Sequence, residues 1–529
     1  MNFDEIKKLI SLKNFNTASQ KLNKILYTNP NQIEALYLTA IIQSTLKEYK
    51  EAIQLYEKLI KIQKNYIFFD NLGTIYLKLS NFSEAKKIFD SSLKINSRNA
   101  VTISKIGVCL AMQNLENLAI DNFKNSLKIE PGLLDAIYNL LDIYEKTNRK
   151  TELIFLINEK IKIYPSNQIL IFYKSFDYEA KKNLKTAIIS LQNLNLKKAN
   201  LNIQAEKQWE IKIYFRLGYL FNKLKNYNNA FLNYSQGNKL TLKTIENKYI
   251  SNNIFNNNLK KCLKYSTKIL PDKNLKNISN YKLIFHIGFP RSGTTLIDAI
   301  LSSHSQIKVM EEIPIVDEIF ETQKFNILDN ISSKNQKSFN EYYEKELLKN
   351  TKGLKLQNKI IIDKLPLNLI WIRHLALIFP NAKFIISIRH PLDCLLSCYF
   401  QNFVLNSAMI NFLELNKAAE IYNYCMQIIL NNKLNLSNQL FILKYEDLIL
   451  DFKNNINNLL NFMELSWEEN INNYKQNAID KDRIRTPSYN QVIKPIYHSS
   501  VNKWVNYKEQ LKPIIPIIEN WMKYFDYKY

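Results

Sequence analysis

The stretch YKLIFHIGFPRSGTTLIDAILSSH, Tyr281 to His304, decides how the rest of the chain is read. Lys282–Ile287 has the apolar composition of a short buried strand, Gly288–Gly293 is a loop, and a helical pattern starts near Thr294. The loop has the form G-x-x-x-x-G-T-T. Two glycines at that spacing, between a strand and a helix, let backbone N–H groups wrap an anion, and the helix N-terminus adds its positive end. Nucleoside triphosphatases place a lysine after the second glycine, on the β- and γ-phosphates. Here Thr294 stands in that place, and the positive charge comes from Arg291 inside the loop. Triphosphate hydrolysis and kinase chemistry are therefore disfavoured. A shorter 5′ anion, held by Arg and hydroxyl groups without a metal, fits better.

Downstream, three further segments extend the strand–helix pattern. KFIISIRHPLDCLLSCYF reads as a strand (Phe384–Ile388), then Arg389, then a helix opened by Pro391 in its first turn. Arg389 and Ser397 are placed to converge on one phosphate, the first by a bidentate fork and the second by its hydroxyl. KIIIDKLPLN gives a strand at Lys359–Ile362 with Lys364 at its C-terminal edge, where open α/β sheets gather ligands. LFILKYEDLILD gives another at Leu440–Leu443, followed by Tyr445. Glu311 and Glu312 read as part of a helix-to-loop stretch, and His286 as a packed histidine in the strand before the loop.

Upstream, the pattern is a repeat. Ala18, Ala52, Ala85, Ala119, Leu153 and Ala187 follow one another at intervals of 34, 33, 34, 34 and 34 residues. Gly73, Gly107 and Gly218 each lie twelve residues before an alanine of the series or Ala230, and Tyr56, Phe89, Phe123 and Tyr234 lie four after one. This spacing of small, small and aromatic residues resembles the tetratricopeptide repeat. The resemblance implies an α-solenoid over 1–250 that offers a concave surface to proteins or peptides. Residues 251–280, polar and rich in Asn and Lys, read as a final helix and linker, and 281–529 as an α/β domain with a central parallel sheet.

Composition agrees with a folded protein of several domains. The chain has 529 residues, 46% hydrophobic and 23% charged, which excludes wholesale disorder. Seventy-two Lys and Arg against 48 Asp and Glu give a net charge of +24, an invitation to an anionic partner. No single basic block dominates and no nucleic-acid recognition motif is present, so most of this charge is assigned to solvated helix faces. Five cysteines without CxxC spacing argue against a zinc site or disulfide framework and for a reducing compartment. With no run of about 18 apolar residues and no signal-peptide pattern, no membrane span and a cytoplasmic location are expected.

Pro290–Thr295, PRSGTT, closely resembles the 5′-phosphosulfate loop of sulfotransferases that use 3′-phosphoadenosine 5′-phosphosulfate (PAPS). The segment around Arg389 and Ser397 resembles their 3′-phosphate motif. The whole order is similar to that of tyrosylprotein sulfotransferases and of bacterial sulfotransferases with a tetratricopeptide front half. A helix ends here at His304-Ser305, then comes Glu311-Glu312, with Glu312 lying 21 residues after Arg291 as in that family. The resemblance implies a P-loop-like fold in which Arg291, Ser292, Gly293, Thr294 and Thr295 hold the 5′-phosphosulfate, and Arg389 and Ser397 the 3′-phosphate. It puts the general base on Glu312, with Glu311 as the alternative, and charge stabilisation on Lys364. In TPSYNQVIKPIYHSSVNKW it places a catalytic Ser at Ser488 and a donor-binding Lys at Lys503, with Tyr445 near the adenosine. Gln401 stands where eukaryotic members have a further Arg, and no counterpart of their membrane anchor or lumenal cysteine framework is expected.

The expectation is thus a PAPS-dependent sulfotransferase, needing no metal, that acts on a hydroxyl of a protein tyrosine, a peptide or a glycan brought by the repeats. The competing expectation is a repeat-built scaffold whose C-terminal domain binds a nucleotide without turnover.

Overall fold

The computed structural model describes residues 3–199, 201–245, 253–267, 281–321, 333–351, 359–479 and 501–529. The chain divides into two compact units, Met1–Pro165 and Ser166–Tyr529.

The first unit is a run of antiparallel helix pairs, among them Tyr66–Lys78 with Phe82–Leu93 and Ala100–Met112 with Glu116–Ile129. Each first helix ends on a residue with left-handed backbone: Lys13, Lys47, Ser80, Asn114 and Asn148, all with φ between 55° and 66°. The following N–H then reaches back five residues to the helix, as Asn14 N does to Leu9 O and Leu115 N to Leu110 O, both at 2.9 Å. This is a Schellman closure, which satisfies a terminal carbonyl and turns the chain into the next helix. In several pairs the next residue caps the second helix, Asn14 accepting from Thr17 N and Asn81 from Glu84 N.

The small residues of the sequence pattern lie where helices of a pair touch. Ala18, Ala52, Ala85 and Ala119 are buried, as are Tyr56, Phe89 and Phe123. A Cβ added at Gly73 would lie 2.6 Å from the Phe89 ring, and one at Gly107 2.7 Å from the Phe123 ring. Glycine is thus required for helix approach there, and the aromatic four residues after the alanine fills the space gained.

The second unit contains a five-stranded sheet: β1 (Lys282–Gly288), β2 (Ile307–Glu311), β3 (Ile360–Lys364), β4 (Lys383–Ile388) and β5 (Leu440–Lys444). Its order is β2-β3-β1-β4-β5 and every pairing is parallel. The central strands are apolar on both faces because helices cover both, as parallel sheets require. Strand β2 is a correction to the sequence reading: Glu311 closes a strand rather than a helix-to-loop stretch. IKVME is too short, with too little apolar character, to be separated from a loop by pattern alone.

Helices Ile203–Lys223 and Tyr227–Thr244, which continue the repeat pattern, share a core with the sheet. Tyr234 stacks on Phe400 at 4.0 Å between ring centroids, and Asn238 Nδ2 donates to Tyr399 O at 2.9 Å. Compactness therefore divides the chain at Pro165, while composition changes at Tyr281. Among the described residues, no helix is long and apolar enough to cross a membrane.

On β3, Asp363 is buried and accepts from the Tyr343 hydroxyl at 2.7 Å. Burial pushes its carboxyl up to about 7, the tyrosine hydrogen bond only partly opposing it.

Two stability predictions follow from this packing. Gly107→Val forces the Phe123 ring to move and lowers unfolding stability by about 1–3 kcal/mol; an unchanged urea midpoint would contradict the close approach. The Asp363 carboxyl titrates near 3.9 when unfolded, so its folded value is raised. It favours the folded state fully below that pH and loses this contribution as pH climbs through 7. Asp363→Asn should flatten the pH dependence of the melting temperature between about pH 4 and 7, and an unaltered slope in thermal melts would refute it.

Candidate active site

The loop between β1 and helix Thr294–Leu301 has its shape set at both glycines. A side chain at Gly288 would meet the Ser387 carbonyl of neighbouring β4 at 2.6 Å. Gly293 has φ +103°, and a Cβ there would meet the Tyr445 ring at 2.6 Å. Arg291, between them, also has left-handed backbone, with φ 70°. A long side chain held at positive φ is a strained placement, and such strain gathers at functional sites.

Two arginines meet at this loop. Arg291 Nε donates to Ser397 Oγ at 3.0 Å, and Arg389 donates to the Arg291 carbonyl at 3.2 Å. The Arg389 guanidinium lies 5.0 Å from the centre of the Tyr445 ring. Desolvation lowers the Arg291 value, with Arg389 nearby adding to the effect while Cys398, Cys394 and Glu312 oppose it. Burial would lower Arg389 too, but Asp393 and its other neighbours outweigh it. Thr294 and Thr295 are buried at the helix N-terminus, and Ser292 Oγ is buried with no hydrogen-bond partner among the described residues. Two guanidinium groups, a helix N-terminus and hydroxyls, one of them unsatisfied, make a chemically fitting cradle for phosphate or sulfate groups.

Asp393 joins this cluster to the C-terminal segment. Its carboxylate lies 3.6 Å from Arg389 and accepts from the backbone N–H groups of Asn502 and Trp504, both at 2.9 Å. The backbone on either side of Lys503 is thereby pinned beside the arginines. The sequence reading did not single out Asp393. Its only signal was an acidic residue in the first turn of the helix that Pro391 opens.

The other half of the site lies at the C-terminal ends of β2, β3 and β1. Pairing puts Glu311 opposite Lys364 and Lys364 opposite His286. Lys364 is wholly buried, and its Nζ donates to Glu312 Oε1 at 2.9 Å, with Glu311 at 3.7 Å and Asp298 at 3.4 Å. The Glu312 N–H donates in turn to the Lys364 carbonyl at 2.8 Å. Glu312 holds this double contact with left-handed backbone, φ 49°. Burial alone would push the Lys364 ammonium down; Asp298, Glu312 and Glu311 outweigh it and hold the group above the ordinary lysine value.

Of the residues singled out in the sequence, Arg291, Ser292, Gly293, Thr294, Thr295, Arg389, Ser397 and Tyr445 form the loop cluster, with the Lys503 backbone tied to it. Glu312 and Lys364 form the second cluster. Ser488 lies outside the described residues. Asp298 and the partners of His286 were not read from sequence, since their meeting depends on helix and strand pitch.

The model of the sulfotransferase family matches residues 284–469, and tetratricopeptide repeat models match 34–65 and 68–99. An uncharacterized protein of Aquifex aeolicus is 33% identical over 254 residues, 45% of this chain and 32% of that protein. Protein-tyrosine sulfotransferase 2 of Gallus gallus is 24% identical over 250 residues, 42% of this chain and 63% of that one. Protein-tyrosine sulfotransferase 1 of Danio rerio is 25% identical over 248 residues, 42% and 65% respectively. The chain thus spans 32% to 65% of the lengths of these relatives. The strand, loop and helix of Lys282–Leu301 and the parallel sheet around them are, with these matches, a domain of the sulfotransferase family, and tetratricopeptide repeats precede it in the same chain.

Proposed function

We propose that this protein transfers a sulfuryl group from PAPS to a hydroxyl acceptor, leaving 3′,5′-ADP. The observation that carries the reading is the pairing of two clusters on one sheet. Arg291, Arg389 and Ser397 meet at the loop, and a Glu–Lys pair sits at the adjoining strand ends.

In this reading, Arg291, Ser292, Thr294, Thr295 and the N-terminus of helix Thr294–Leu301 hold the 5′-phosphosulfate. Arg389 and Ser397 hold the 3′-phosphate, Tyr445 packs by the adenosine, and Lys503 approaches the donor from the segment that Asp393 pins. The donor supplies an activated sulfuryl group; the protein supplies alignment and proton management. Glu312 takes the acceptor proton as the acceptor oxygen forms its bond to sulfur. The bond from sulfur to the bridging oxygen breaks, and the electron pair leaves on the 5′-phosphate oxygen of 3′,5′-ADP. Lys364, a fixed positive charge out of water, faces that developing negative charge, and Ser488 assists. No step calls for a metal. The repeats bind the acceptor, a protein tyrosine, a peptide or a glycan. All five cysteines are free and buried thiols, in keeping with a cytoplasmic setting.

Calorimetric titration tests the donor. The protein should bind 3′,5′-ADP in preference to ADP and ATP. Arg389→Ala should weaken 3′,5′-ADP by roughly 30-fold or more, the scale for truncating one partner of a buried charge pair. Tight ATP binding with indifference to 3′,5′-ADP would overturn the assignment. For the chemistry, Glu312→Gln should slow sulfation of peptide or glycan acceptors by about 100- to 10,000-fold with 3′,5′-ADP binding retained. Mass spectrometry showing equal sulfation by that variant would remove Glu312 as the base.

A further inference from the structure

Behind the Glu312–Lys364 pair runs a buried chain of polar groups that the proposed reaction does not use. Asp298, on the helix after the loop, has one carboxylate oxygen 2.7 Å from His286 Nδ1. Its other oxygen is buried, accepts no hydrogen bond from the described residues, and lies 3.4 Å from Lys364 Nζ. His286 is fully buried in β1, and its Nε2 lies 2.7 Å from the hydroxyl of Ser387 on β4. A carboxylate can only accept, so Nδ1 carries the proton shared with Asp298. Strands β4, β1 and β3, the helix after the loop and the end of β2 are thereby linked in one line, Ser387–His286–Asp298–Lys364–Glu312.

That line meets a need created by the chemistry. Lys364 is fully buried, and an ammonium so placed keeps its proton only beside compensating charge. Glu312 is its nearest carboxylate, yet a base that accepts the acceptor proton becomes neutral at that moment. Glu311, at 3.7 Å and partly exposed, is the remaining partner on the β2 side. Asp298 is different: it is buried, and His286 with Ser387 behind it fixes which oxygen faces Lys364.

We propose that Asp298, braced by His286 and Ser387, is a positioning residue that keeps Lys364 charged and aimed when Glu312 is neutralised by the acceptor proton. This inference rests on the sulfotransferase reading, in which Glu312 is the base and Lys364 meets the leaving oxygen. Among the described residues, the carboxylates facing Lys364 are Glu311 and Glu312 from the end of β2 and Asp298 from the helix. His286 stands opposite Lys364 in the β1–β3 register and shares the Asp298 carboxylate with it.

The test uses the full-length protein with Glu312→Gln as the mimic of the neutralised base. Selective ¹³C labelling of lysine Cε, with the Lys364 signal assigned by its loss in Lys364→Met, follows its charge without need of turnover. In Glu312→Gln, Lys364 should remain an ammonium from about pH 7 to 10, whereas adding Asp298→Asn should bring its titration into that window. A Lys364 signal that stays charged throughout in the double variant overturns the proposal. Should that variant not fold, Ser387→Ala in the Glu312→Gln background removes only the hydroxyl behind His286. It should lower the midpoint in the same direction by less, and no movement overturns the proposal equally. With Glu312 intact, Asp298→Asn should lower kcat while the Kd for 3′,5′-ADP stays in place; a weakened Kd with unchanged kcat would show a merely structural role. If the wild type transfers no sulfuryl group, the proposed function falls, and the lysine titration still decides this inference.

Discussion

The sheet domain is organised around one demanding placement, the ammonium of Lys364 at the end of a central strand with no exposure to water. Removing a charge from water costs several kcal/mol unless opposite charges and hydrogen bonds surround it. The carboxylates that do so come from separate elements: Glu311 and Glu312 from the end of β2, and Asp298 from the helix that follows the loop. Strand order, the register of β2 on β3 and the pitch of that helix all have to be right together. Glu312 shows the local consequence, since its left-handed backbone lets its N–H and its carboxylate both reach Lys364.

The loop cluster depends on the same sheet in another way. Gly288 lets β4 approach closely enough for Ser387 to reach His286, and Gly293 leaves room for Tyr445 against the loop. Arg389, leaving β4, donates to the loop backbone, which ties the loop to the strand end. Asp393 extends this tie to the C-terminal segment. Helix Pro391–Tyr399 carries Ser397 toward the loop and ends on Tyr399, whose ring stacks on Phe231 and whose carbonyl accepts from Asn238. The last repeat-like helices therefore support the helix that bears a candidate phosphate ligand.

The repeats and the loop were legible in the sequence because each depends on local spacing. A small residue every 34 positions, with an aromatic four later, reports helix contact within a single pair. The strands at Lys282, Ile360, Lys383 and Leu440 were legible as apolar runs beside turn residues. Strand β2 was not, because IKVME is short and half polar and becomes a strand only by pairing with β3. The turns between paired helices were equally hidden: Lys13, Lys47 and Ser80 adopt left-handed backbone without being glycine or asparagine, held there by the Schellman hydrogen bonds.

The sequence by itself determined the repeat helices, four of the five strands in their order, and the standing of Arg291, Lys364 and Arg389 in the loop and at strand ends. These are properties of neighbours along the chain, where periodicity and the G-x-x-x-x-G-T-T spacing act directly. Only the tertiary structure decided which of them meet. Asp298 reaches Lys364, His286 reaches Ser387, and Asp393 reaches the backbone around Lys503, across separations of 66, 101 and 109 to 111 residues. Such meetings follow from parallel strand register and helix packing, which no local pattern encodes. Burial then gives them their strength, by removing the water that would otherwise screen each charge.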